Sequence, residues 1–251
     1  MRPRSRRPLA SLPIVIALVG ALIATAAPPA VGPAAAAERG YRLDLLERGD
    51  FVTQYTDVAC VGASVQVMLN IVRDGADRSR STQAKALKAA QLRSNPVFVR
   101  RSGGASAIGW AYALERLGAG PYRVRSYPTR AAALRATAAA IRTTGRPVGL
   151  LVWQGAHAWV ASGFRATADP ARTGDFRVET LVVSDPWWPR PISSRGRTLP
   201  PGSELTPAAL ARHFVPFQRG PRRGGSVMNG GFVVVLPIDT AAIEAHAAAM
   251  R

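Results

Sequence analysis

Apolar positions recur at helical spacing through the first half of the chain. Val61, Val65 and Met68 belong to one apolar stripe along residues 61–73, which predicts a helix with one buried face. The same spacing, together with glycine stop signals, predicts further helices at 82–92, 105–117, 130–141 and, late in the chain, 207–213. The first half of the chain is therefore expected to be mainly helical.

The pattern becomes β-rich after residue 146. The predicted strands after this point are Pro147–Trp153, His157–Phe164, Val178–Ser184 and Phe232–Leu236. One earlier strand is predicted at Tyr122–Tyr127, where apolar residues and arginines alternate. Gly155 and the segment 168–175 supply turns between consecutive strands. Helices followed by an antiparallel sheet predict an α+β fold with two facing halves.

Two of these strands place a histidine and a carboxylate together. If His157–Phe164 and Val178–Ser184 pair as an antiparallel hairpin, the first residue of one lies opposite the last residue of the other. His157 opens the first strand and Asp185 follows the second. The topology alone therefore predicts that His157 lies beside Asp185.

The amino terminus has the pattern of a secretory signal. Four arginines stand within the first eight residues, an apolar run extends from Leu9 to about residue 27, and alanines precede Glu38. We therefore expect a signal peptide at 1–37, with an uncleaved membrane anchor as the alternative because the apolar run approaches spanning length. The expected remainder is an arm at 38–50, one domain at 51–240 and a tail at 241–251, with the mature protein secreted or bound to the cell surface.

The chain is strongly basic, with a formal net charge of +18 that comes almost entirely from arginine. Such a charge favours electrostatic adhesion to an anionic cell envelope. The arginines are scattered and no nucleic-acid-binding motif is present, so nucleic acid is not an expected partner. The sequence makes no prediction of oligomeric state.

Cys60 is the only cysteine, so it cannot form a disulfide within the chain. It stands at the start of the predicted helix 61–73, where the helix dipole and free N–H groups lower the pKa of a thiol. Thr56 or Asp57 is the expected cap of that helix. The alternative is that Cys60 is a small apolar core residue.

The remaining candidate chemistry accompanies this thiol. His157 is a candidate general base, Asp185 a candidate partner that orients it, and Gln54 a candidate oxyanion donor. The other histidines are expected to be a surface or packing residue, His213, and a solvated residue, His246. One cysteine and three widely spaced histidines give no ligand pair at zinc-like spacing, so neither metal nor cofactor is expected.

Gln54 followed six positions later by Cys60 at a helix start, with His157 and then Asp185 in Asp-Pro-Trp, resembles the papain-like cysteine peptidases. The resemblance is to the branch that includes the bacteriocin leader peptidases, which cleave after double glycines, and it spans roughly residues 51–188. It implies a papain-like fold, in which an N-terminal helical half carries the nucleophile helix and packs on a C-terminal antiparallel sheet.

The resemblance also implies a function and the roles of residues. Cys60 would be the nucleophile, His157 the general base and acid, Asp185 its orienting group and Gln54 a donor to the oxyanion, in a peptidase that needs no cofactor and acts on a peptide or protein. Trp187 is expected to form part of the cleft wall beside Asp185.

One departure from the pattern keeps other functions open. Val61 follows the cysteine where family members often carry glycine or another small residue, which favours altered specificity or lost activity. The alternatives are thus an inactive papain-like binding module at the cell surface and a transglutaminase-like acyltransferase.

Overall fold

Seven strands and six helices make up the part of the chain that the computed structural model describes, residues 40–191, 197–218 and 228–241. The strands are β1 (Tyr41–Asp44), β2 (Tyr122–Tyr127), β3 (Val148–Val152), β4 (His157–Ala166), β5 (Val178–Ser184), β6 (Ser203–Leu205) and β7 (Phe232–Pro237). The helices are α1 (Cys60–Arg73), α2 (Arg80–Gln91), α3 (Pro96–Ser102), α4 (Ala107–Arg116), α5 (Arg130–Thr144) and α6 (Pro207–Leu210). The predicted signal peptide at 1–37 and the predicted tail beyond residue 241 lie outside these ranges.

All strands join one antiparallel sheet in the order β2-β7-β3-β4-β5-β6. The long strand β4 is its centre. On one side, β4 pairs with β3 along its first half and with β1 along its second half, and on the other side it pairs with β5. The first residue of β4, His157, is paired with Val152 of β3, and the pairing of β4 with β5 begins three residues later, at Val160.

Helices cover both faces of the sheet. The core on one face is formed by α1, α2 and α4 against alternate sheet residues such as Leu151, Ala158 and Val160. On the other face, α5 packs against residues that include Leu150 and Trp159. Neighbouring residues of one strand therefore belong to different cores, as the two-residue period of a strand requires.

The predicted α+β class is confirmed, with antiparallel strands and separate helices. The division into a helical half and a later sheet is incomplete, because β1 and β2 from the first half join the sheet and α5 covers its opposite face. No helix in the described ranges is long and apolar enough to cross a membrane.

The predicted strand Pro147–Trp153 ends one residue early. Trp153 and Gln154 adopt positive φ angles of 51° and 60°, and with Gly155 they form a 3₁₀ turn between β3 and β4. This turn reverses the chain so that His157 becomes the first residue of β4.

Candidate active site

Cys60 is the first residue of α1, and its side chain is partly exposed. The prediction of Thr56 or Asp57 as the cap is wrong: Ala59 is the N-cap residue, and no side chain caps the helix. The first N–H groups of a helix have no acceptor within it. In the absence of a capping oxygen, these groups and the positive end of the helix dipole are directed at the region of the thiol, where they stabilise an anion.

His157 and Asp185 meet as the hairpin topology predicts. β4 and β5 pair in antiparallel register, and His157 Nε2 lies 2.7 Å from Asp185 Oδ1. The carboxylate is fully buried, and the same Oδ1 atom accepts the backbone N–H of Trp187 at 2.9 Å. The engagement of Nε2 by the carboxylate leaves Nδ1 of the imidazole for the thiol.

The structure adds the proximity that the topology could not supply: Cys60 and His157 line one cavity, and each changes the pKa of the other. Burial opposes ionisation of the thiol. Its effect is outweighed by hydrogen bonding to His157, by the charge of His157 and by the backbone N–H groups of Ala158 and Val61, so the pKa of Cys60 lies below its usual value. Burial likewise disfavours imidazolium, yet Asp185 and Cys60 together raise the pKa of His157 to about 9. Both directions favour a thiolate–imidazolium pair near neutral pH.

Gln54 is fully buried in the segment that leads to α1. Its side-chain Nε2 donates to the Thr56 carbonyl oxygen at 2.7 Å, and its backbone N–H donates to the Pro186 carbonyl oxygen at 2.8 Å. An amide nitrogen carries a second hydrogen, which this arrangement does not use. Gln54 is not among the residues that line the cavity at Cys60, so its role as an oxyanion donor stays a prediction.

The segment that leads into α1 is tied to the loop that follows β5. The Thr53 hydroxyl donates to the Trp188 carbonyl oxygen at 2.6 Å. Arg190 pairs with Asp57 at 3.1 Å, and its guanidinium lies 5.5 Å from the ring centre of Trp187. These contacts hold the start of α1 against the end of β5 that precedes Asp185.

Two tryptophans pack against the imidazole. The Trp187 ring stands nearly perpendicular to the His157 ring, with centres 6.2 Å apart. Trp187 thus lies beside the histidine and carboxylate as expected, although it does not line the cavity at Cys60. Trp153 stacks on His157 with centres 5.0 Å apart and planes 14° apart. The sequence pattern identifies Trp153 only as the last residue of a predicted strand, four positions before His157, and does not predict this stacking.

A cavity of about 200 Å³ opens at Cys60 and His157. Val61 is among the residues that line it. A second cavity of about 500 Å³ shares Phe98 and Leu151 with the first and extends it past Phe217. The two cavities adjoin at these shared residues, and the lining of the second is largely apolar.

Within the described ranges, no three His, Cys, Asp or Glu side chains converge as a metal site would require. Searches against protein-family models and against curated proteins found no match to this chain. The case for function therefore depends on the geometry of the site.

Proposed function

We propose that this protein is a cysteine peptidase in which Cys60, His157 and Asp185 act as the catalytic triad. The observation that carries the proposal is the position of His157, which lines one cavity with the Cys60 thiol and lies 2.7 Å from the buried Asp185 carboxylate. This is the arrangement that an activated nucleophile requires: a base within hydrogen-bond reach and a third group that orients the base.

In the proposed reaction, the Cys60 thiolate attacks the carbonyl carbon of the substrate peptide bond. The backbone N–H of Cys60, in the first turn of α1, and the side chain of Gln54 would stabilise the negative oxygen. As the C–N bond breaks, imidazolium at His157 gives its proton to the leaving amine and a thioester remains. His157 then removes a proton from water, whose oxygen attacks the thioester, and the acid product leaves as the thiolate–imidazolium pair is restored.

The cleft supports a peptide substrate with an apolar side chain close to the scissile bond. Phe98 and Leu151 line both connected cavities, and Phe217 lines the outer one. Asp57 also lines the inner cavity, but it is already paired with Arg190. A charged side chain placed beside these apolar residues would lose its hydration, whereas an apolar side chain would gain from burial. In a library of peptides, we therefore expect the cleaved members to be enriched in leucine, phenylalanine or methionine on one side of the cleaved bond.

The test of the proposal is the reactivity of the thiol. We expect iodoacetamide or an epoxysuccinyl reagent to label Cys60 at pH 6 much faster than free cysteine, and Cys60→Ala to abolish both labelling and casein hydrolysis. His157→Gln is the second variant, because it keeps the thiol but removes the base. Labelling no faster than free cysteine would overturn the proposal and favour the inactive binding module.

An amine added to the casein assay distinguishes hydrolysis from acyl transfer. Hydrolysis produces new carboxyl and amino termini, whereas a transglutaminase-like acyltransferase joins the added amine to the substrate. We expect new termini as the main products at low amine concentration. Quantitative incorporation of the amine without peptide-bond cleavage would replace the peptidase with the acyltransferase.

We also propose that the enzyme acts outside the cytoplasm. The grounds are the signal pattern of residues 1–37 and the net charge of +18. Expression with residues 1–37 should yield a secreted or surface-bound protein that begins at Glu38. A protein found at the membrane with an intact amino terminus would identify the uncleaved anchor instead. A surface-bound form that is released by high salt would support electrostatic adhesion to the envelope.

A further inference from the structure

The face of the proposed catalytic imidazole rests on an indole ring. Trp153 and His157 stack with a centre-to-centre distance of 5.0 Å and an angle of 14° between the planes. The face of a tryptophan ring is electron-rich and attracts a cation within about 6 Å. An imidazolium in this position is therefore stabilised relative to the neutral imidazole.

The indole is itself held by His213, which lines neither the cavity at Cys60 nor the adjoining one. Trp153 Nε1 donates to His213 Nδ1 at 3.2 Å, and the Trp153 backbone N–H donates to the His213 carbonyl oxygen at 2.8 Å. The His213 ring also packs at 4.8 Å from the ring of Trp159, a fully buried residue. Trp153 is thus fixed to one residue through both its side chain and its backbone.

His213 must be neutral to accept this bond. Burial is the largest influence on the pKa of His213 and lowers it; nearby Arg212 acts in the same direction, and Asp185 opposes both. The net effect places the pKa below the usual value for histidine, so Nδ1 keeps its lone pair at neutral pH. The Trp153 N–H is a donor only, so this bond also fixes the tautomer of His213.

The backbone around Trp153 shows that its position is imposed by the surrounding fold. Trp153 and Gln154 have φ angles of 51° and 60°, a region that bulky side chains rarely adopt. Such a conformation persists only where its surroundings hold it in place. Here Gln218 supplies part of that support, since its backbone N–H bonds the Gln154 carbonyl oxygen at 3.3 Å and its side chain accepts from Gln154 at 3.2 Å.

We propose that Trp153 and His213 are positioning residues that hold the imidazole of His157 in its catalytic orientation and favour its protonated form. This inference rests on the proposed function, because it concerns the thiolate–imidazolium pair of Cys60 and His157. His213 acts through Trp153, and Trp153 acts through His157. Neither residue is assigned a contact with the substrate.

The test measures the pKa of His157 directly. The full chain contains three histidines, so ring signals in ¹H–¹⁵N NMR spectra are few and can be assigned with single variants. We expect Trp153→Leu to lower the pKa of His157 by about 0.5–1 unit, because the cation–π contact is lost. Trp153→Phe, which keeps a weaker aromatic face but no N–H, should give a smaller decrease.

Variants of His213 separate the hydrogen bond from simple packing. His213→Phe removes the acceptor and should lower the pKa of His157 and slow iodoacetamide labelling of Cys60 at pH 6. His213→Asn offers an oxygen near the Nδ1 position and should restore both quantities. Trp110→Leu is the control, since it removes another fully buried indole that packs in the core of the helical face rather than on His157.

An unchanged pKa of His157 in both Trp153→Leu and His213→Phe would overturn the inference. If Trp153→Leu does not fold, an unchanged pKa of His157 in both Trp153→Phe and His213→Phe overturns the inference. In the wild-type protein, a His157 pKa near its usual value with an unreactive thiol would mean that the proposed function itself fails. A raised wild-type pKa that no variant changes would leave the peptidase in place and reject only the positioning role.

Discussion

Replacement of Asp185 by asparagine removes one negative charge from the site and little else. Oδ1 accepts both hydrogen bonds of this carboxylate, one from His157 Nε2 at 2.7 Å and one from the Trp187 backbone N–H at 2.9 Å. Oδ2 accepts no hydrogen bond from the described residues. An asparagine oxygen at the Oδ1 position therefore keeps both bonds, so Asp185→Asn tests the charge rather than the packing.

The size of the effect follows from the bond that loses its charge. A hydrogen bond to a charged group contributes about 1.5–3 kcal/mol net, and one between neutral groups contributes about 0.5–1.5 kcal/mol. Because asparagine keeps a neutral bond to His157, the loss is the difference, about 1–1.5 kcal/mol. One pKa unit corresponds to about 1.36 kcal/mol, so the pKa of His157 should fall by about one unit. From the wild-type value of about 9, this places it at about 8 in the variant. The ratio of the thiolate–imidazolium pair to the neutral pair should fall about 10-fold, which is the same energy expressed as a ratio.

Two measurements check this result. Titration of the His157 ring by NMR gives the pKa, and iodoacetamide labelling from pH 4 to 10 shows where the Cys60 thiolate forms. Asp169→Asn is the matched control, because it removes a carboxylate that binds Arg142 at 2.8 and 3.0 Å, in a pair that does not line the cleft. An Asp185→Asn protein with the wild-type pKa and labelling profile would refute the assignment of Asp185 as the group that stabilises imidazolium.

Three further predictions concern pH, the oxyanion and the fold. Casein hydrolysis should decrease as the pH rises through about 9, because His157 loses the proton needed by the leaving amine. Iodoacetamide labelling should not decrease over the same range. Hydrolysis that still increases above that pH contradicts the role of His157 as general acid. Gln54→Ala should lower kcat by about 10²- to 10³-fold with no effect on labelling, and an equal loss of both would indicate a structural role. Gly109→Ala should lower the free energy of unfolding in urea by about 1–3 kcal/mol, because its methyl group would collide with the Ala90 carbonyl oxygen. Gly75→Ala is the control, since no atom lies within 4 Å of its added methyl group; similar losses in both variants would rule out overpacking.

Local periodicity was sufficient for much of the fold. The apolar stripe from Val61 onward predicted α1, and the run of β-rich segments predicted β3, β4, β5 and β7 close to their observed bounds. The missed elements are short. β1 and β6 have only four and three residues, too few for alternation to show, and both depend on an existing neighbour strand for their hydrogen bonds.

The cap of α1 shows a different kind of failure. Thr56 and Asp57 have the side chains that usually cap helices, and the sequence pattern therefore favoured them. The helix instead starts at Cys60 with Ala59 as its N-cap. Asp57 pairs with Arg190, so a tertiary contact occupies its side chain. The Thr56 carbonyl oxygen accepts a hydrogen bond from the Gln54 side chain within the same segment, three residues before the N-cap of α1 at Ala59.

The sequence by itself identified the candidate site residues and the pairing of two of them. His157 and Asp185 come together through a hairpin of two consecutive strands, whose pairing depends on their order and antiparallel direction, so the pattern of the chain was enough. The approach of Cys60 to His157 was decided by the tertiary structure, because a helix and a strand almost a hundred residues apart meet only through the packing of α1 on the sheet. The same is true of Trp153, because the turn that places it on His157 is hydrogen-bonded to the distant residue His213.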